Sequence, residues 1–162
     1  GNTIVTRHSY LYKETMAIEL RTIEELLDQL ELYIDLLDRM DLPSPAEIDD
    51  DIDTQHLMNH RLHTAVETCI DIASHIASAK KLGGYQEAVD VFKLLAQHQI
   101  IGGGLFDKMA DAVKARNVLV HKYADVDYSL VIHNLRDDLG DLKEFHRQIN
   151  EFIKNERVLQ SA

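Results

Sequence analysis

The chain of 162 residues carries one cysteine, two prolines, no tryptophan and few aromatics of any kind. A lone Cys69 excludes an internal disulfide, and no apolar run approaches the ~20 residues that a membrane-spanning helix needs. Cys69 lies within an apolar helical stripe and reads as core. Nothing at the start resembles a signal peptide, so the cytoplasm is the expected compartment, and Gly1 reads as the remnant of a cleaved tag. No segment alternates apolar and polar residues at period two, so strands are not expected. Basic residues are also scarce: 17 Lys and Arg stand against 28 Asp and Glu, a net charge of −11. Nucleic-acid affinity rests largely on neutralising phosphates, so this balance argues at first against RNA. Neither DNA nor a membrane is expected as a partner.

The distribution of charge alters that reading. Residues 14–53 hold fourteen acids against Arg21 and Arg39, whereas residues 78–123 carry a net charge of +3. Such asymmetry fits a small substrate cleft on an acidic protein, and equally a docking surface for a basic partner.

Where apolar residues do concentrate, they recur at helical spacing. Met16, Leu20, Ile23, Leu27, Leu30, Ile34 and Leu37 step by three and four, which predicts one long helix over residues 9–40. Residues 1–8 are read as a disordered or tag-derived lead-in. Pro43 and Pro45 end the helix, and residues 41–53 form an acidic loop. A second helix is predicted over 54–81, started by Asp53 or Thr54 and stopped by Gly83-Gly84. A shorter third spans 86–98, and Gly102-Gly103-Gly104 reads as a flexible turn before a fourth. Asp127 is the expected N-cap of a fifth helix over 128–157. One all-α domain covering residues 1–162 follows, a bundle of about three long and two shorter helices.

The fourth helix ends in Arg116-Asn117-Val118-Leu119-Val120-His121-Lys122-Tyr123. At ~100° per residue, Arg116, Asn117 and His121 fall within an arc of roughly 140°, with Val118 and Leu119 expected on the opposite, packed side. Arginine presents a planar fork of donors matched to phosphate, and histidine titrates nearest neutrality. RNA is cut without a metal when its own 2′-hydroxyl attacks the adjacent phosphorus. His121 is suited to the proton transfer, Arg116 to the charge gathering on phosphoryl oxygens, and Asn117 to orienting the imidazole or a phosphate oxygen. Lys122 and the Tyr123 hydroxyl stand beside them. The competing reading is structural: Arg116 pairs with a carboxylate such as Asp71 or Glu67, and His121 caps the helix end, where a cation is favoured. Glu67 and Asp71, four apart on the second helix, are site-adjacent candidates. His56, His60 and His63 share a helical face, but few carboxylates or cysteines complete a zinc set, so neither a metal nor another cofactor is expected.

The motif resembles the Arg, four residues, His, one residue, Tyr signature of HepT-like ribonuclease toxins, a branch of the HEPN superfamily. Residues 65–73, 91–95 and 100–101 also resemble that family's second and third helices, so the resemblance covers most of residues 8–155. It implies an all-helical homodimer whose two motif copies share one cleft. It further implies a metal-independent endoribonuclease toxin with Arg116, His121 and Asn117 in the catalytic positions. The implied antitoxin is a minimal nucleotidyltransferase that uses ATP and neutralises the toxin by AMP transfer to Tyr123. The alternative is a non-catalytic HEPN module that binds a nucleotide or that nucleotidyltransferase.

Overall fold

The computed structural model describes residues 2–161, apart from the side chains of residues 2–6, 8, 18 and 123. Among the described residues it contains five α-helices and no strand: α1 (Asn2–Asp38), α2 (Ile52–Ala79), α3 (Ala88–Gln97), α4 (Gly103–His121) and α5 (Tyr128–Ser161). Three are long and two shorter, as the apolar periodicity requires. All seven members of the α1 stripe are buried, as are Leu62, Val66, Cys69, Ala73 and Ile76 of α2. From α5, Leu135, Leu139, Leu142, Phe145 and Ile149 complete the same core. Burial pushes the Cys69 thiol up, away from the reactive thiolate. Phe92 of α3 meets Phe145 edge to face at 5.6 Å.

Cross-helix contacts set the directions. Glu19 meets His75, Gln29 meets Thr68, and Arg61 donates to the Leu36 carbonyl, so α1 and α2 are antiparallel. The pairs Asp38–Lys143 and Glu24–Arg157 make α5 antiparallel to α1 as well. Lys80 bonds the buried Glu156 at 3.0 Å, tying the ends of α2 and α5.

Several boundaries differ from the sequence expectation. The α1 backbone is helical from Asn2, through the stretch read as a lead-in, because no proline or glycine interrupts residues 2–8. A 3-10 turn, Ile48–Asp50, lies within the acidic loop and buries Ile48. The α2 cap is Asp51, not Asp53 or Thr54: its carboxylate accepts from the Thr54 N–H at 3.1 Å and the Thr54 hydroxyl at 2.7 Å. At the other end, Lys81 takes the left-handed conformation (φ 53°) while the Leu82 N–H donates to the Ala77 carbonyl, so termination precedes the glycines. Gly102–Gly104 is not a free turn. It opens α4, with the Gly102 N–H donating to Gln148 Oε1 at 2.8 Å. Asp127 caps α5 as expected, accepting from the Leu130 N–H and the Ser129 hydroxyl.

Candidate functional site

The motif occupies the last two turns of α4, and one side chain of α2 fixes their position. The Asn59 amide donates at 3.3 Å both to the Leu119 carbonyl and to the Tyr128 hydroxyl, joining the starts of α2 and α5 to the end of α4. Asn59 did not stand out in the sequence. Its only signal is a polar residue beside buried Met58 and one turn before buried Leu62.

Burial corrects the expected division of faces on α4. Leu105, Met109, Val113 and Leu119 form its buried stripe, and Arg116 falls at the helical spacing that continues them. Its side chain is only 17% exposed, and it forms an ion pair with Glu67 of α2. Arg116 Nε is buried with no hydrogen-bond partner. Asn117 and His121 lie on the solvent side, and neither side chain has a partner among the described residues. Val118, expected on the packed face, is 42% exposed, and Val120 is 43% exposed. Only Leu119 of that apolar group is inward. The physical reason is that Val118 borders an open groove between α4 and α5 and Val120 faces solvent, so of the three only Leu119 is covered.

Of the two acids offered as partners to Arg116, Glu67 makes the contact. Asp71 is an exposed residue one turn further on; partial desolvation and the Glu67 carboxylate raise its pKa, with His75 opposing them. Lys122 is exposed and caps α4, its N–H donating to the Val118 carbonyl at 2.9 Å. Tyr123 opens a 3-10 turn, Tyr123–Asp125, but its side chain lies outside the described residues. His60 packs edge to face against Tyr33 at 6.2 Å and His63 at 5.5 Å, and His63 Nδ1 contacts the Asn59 carbonyl. Among the described residues no three His, Cys, Asp or Glu side chains converge as a metal site.

Beside Arg116, α2, α4 and α5 enclose a groove of about 380 Å³ with largely apolar walls. Its charge is not that of the basic stretch 78–123. Lys108 and Arg116 share it with Asp111 of α4 and with Asp127, Asp138 and Asp141 from the α5 side. Asp127, Asp138 and Asp141, outside the basic stretch, therefore line the same groove as the arginine.

The all-helical bundle, with the motif at the end of its fourth helix, matches known proteins in sequence and in fold. The chain belongs to the ribonuclease HepT-like family, whose match spans residues 19–149. An mRNA nuclease HepT of Shewanella oneidensis is 38% identical over 84 residues, 52% of this chain and 63% of that relative. A tRNA nuclease HepT of Aphanizomenon flos-aquae is 29% identical over 136 residues, 84% of this chain and 92% of that protein. Among solved structures, the tri-AMPylated Shewanella oneidensis HEPN toxin in complex with MNT antitoxin superimposes with a TM-score of 0.62 at 28% identity, covering 85% of this chain and 97% of that one. No described helix is long and apolar enough to cross a membrane.

Proposed function

We infer that this chain, as one helical domain, is a cytoplasmic endoribonuclease toxin that cuts RNA without a metal, using Arg116 and His121. The observation that carries this reading is the disposition of the motif. Glu67 fixes Arg116 through one terminal nitrogen, its Nε remains unpartnered, and His121 stands unengaged about one and a half turns further along the same helix. A phosphate at this end of α4 meets a preoriented guanidinium, which holds the charge that builds up on the phosphoryl oxygens. His121 takes the proton of the attacking 2′-hydroxyl, the new O–P bond forms, and the bond to the 5′-oxygen breaks. That oxygen must gain a proton. In a homodimer with both motifs on one cleft, the second His121 supplies it. Asn117 orients the imidazole or a phosphate oxygen, and Lys122 adds positive charge.

Exposed Val120 and Leu57, which lie outside the groove, support a self-complementary contact at this end of the bundle. The antitoxin is a nucleotidyltransferase that transfers AMP from ATP to the Tyr123 oxygen, releasing pyrophosphate. Support comes from the AMPylated relative and from the place of Tyr123, two residues beyond His121. A bulky anion there repels the RNA backbone and leaves the fold intact.

The Arg116–Glu67 pair favours one second reading, a module that recognises its partner without cutting RNA, because the arginine charge is already matched. Incubating the wild type, Arg116→Ala and His121→Ala with total RNA in excess EDTA separates the two. The nuclease reading expects cleavage by the wild type alone. Intact RNA throughout, from protein whose mass excludes AMP on Tyr123, selects the module.

A further inference from the structure

We propose that the groove between α4 and α5 beside Arg116 is a nucleobase pocket that prefers guanine on the nucleotide whose 2′-hydroxyl attacks. This inference rests on the ribonuclease reading and adds to it a substrate preference.

The groove's volume of about 380 Å³ lies in the range of small-molecule sites, and its walls suit a flat ring. Leu62 and Val66 of α2 form one side, and Leu130 and Val131 of α5 another. A phosphate would not enter, because the acids along its rim repel it. An uncharged base carries no such penalty, and Arg116 at the groove's edge keeps the attached phosphate near the motif.

The polar groups decide which base. Asp138 and Asp141 are three residues apart on α5 and so share a face. Asp141 is engaged with Lys108 at 3.6 Å. Asp138 has no hydrogen bond or ion pair among the described residues and is open to solvent on one side; partial desolvation and the Asp141 and Asp137 carboxylates raise its pKa. A ligand that donates to this carboxylate offsets these effects. An ionised carboxylate only accepts, through two oxygens side by side. The guanine edge, with a ring N–H next to an amino group, offers two donors at matching spacing. Cytosine and adenine place an acceptor nitrogen beside their amino group, and the ring N–H of uracil lies between two carbonyls.

The test uses four 2′-O-methyl oligonucleotides, each with a single central ribonucleotide, G, A, C or U, so that only one phosphate can be attacked. The expected result is a kcat/KM at G at least tenfold above that at U. Asp138→Asn, whose amide both donates and accepts, should reduce this ratio by roughly tenfold to hundredfold, the worth of a bidentate base contact. Cleavage of all four at equal rates, unchanged by Asp138→Asn, overturns the pocket and leaves the ribonuclease reading standing. Absence of cleavage at every ribonucleotide, on oligomers and total RNA alike, overturns the ribonuclease reading and the pocket with it. A third result, conversion of a dimer to a monomer by Asp138→Asn in sedimentation, makes the groove a contact between copies and also overturns the proposal.

Discussion

Glu67→Gln removes the one ionic partner that Arg116 has among the described residues while preserving side-chain size. Pairs on an open surface contribute roughly 0–1 kcal/mol, whereas removing one member of a buried pair costs about 3–5 kcal/mol. The Arg116 side chain is 17% exposed and that of Glu67 is 43% exposed, which places this pair between the limits. A loss of about 2 kcal/mol is therefore expected, or about 4–8 °C in Tm for a chain of this length. Arg116→Met should cost less, about 1 kcal/mol, because it also removes the buried Nε that has no partner. Thermal denaturation of the wild type, both single variants and the double variant at pH 7 gives the coupling directly. A positive coupling near 1 kcal/mol is the expected result. In the cleavage assay, Glu67→Gln should lower activity more than Asp71→Asn, since only Glu67 touches the arginine. Zero coupling together with a Tm change below about 1 °C would refute the view that Glu67 holds Arg116 in place.

Gly140 lies on the exposed side of α5, and a Cβ added there meets nothing within 4 Å, so Gly140→Ala should stabilise by about 1 kcal/mol and raise Tm by about 2–4 °C. Lys81 sits at φ 53°, so Lys81→Gly should stabilise by up to about 1 kcal/mol, read as a shift in the urea midpoint. Lys80→Met leaves Glu156 largely buried without its cation and should destabilise by about 2 kcal/mol; the double variant with Glu156→Leu should recover most of the loss. Hydrogen bonds from Thr54 lower the pKa of Asp51, and those from Ser129 and the Leu130 N–H lower that of Asp127. The folded state thus binds these protons more weakly than the unfolded one. The caps' stabilisation is complete above the ordinary aspartate pKa of about 3.9 and fades as pH falls through the lowered folded values. The Tm deficit of Asp127→Ala should be plain at pH 6 and shrink steadily under acid titration below pH 4.

The helices were legible because their apolar residues are frequent and regularly spaced: every member of the stripe from Met16 to Leu37 is buried. Boundaries were less so. Asp51, Asp53 and Thr54 are all capable caps, and only the position of Ile48 against α2 and α5 selects Asp51. Within the motif, residue types were readable but orientation was not. A wheel drawn for eight residues groups Arg116 with His121, whereas the stripe from Leu105 onward assigns Arg116 to the packed side. Charge failed for a related reason. A segment sum over 78–123 omits Asp138 and Asp141, which α5 returns to the same groove.

In the proposed reaction the RNA's own 2′-hydroxyl is the nucleophile and His121 its base. The most direct test is the chemistry of the cut ends, measured in excess EDTA on an oligonucleotide that the wild type cleaves. The expected result is a 2′,3′-cyclic phosphate on one fragment and a 5′-hydroxyl on the other, no cleavage when the attacking nucleotide is 2′-deoxy, and no product from His121→Ala. A 5′-phosphate product, or cleavage of the 2′-deoxy substrate at the same phosphate, would contradict it.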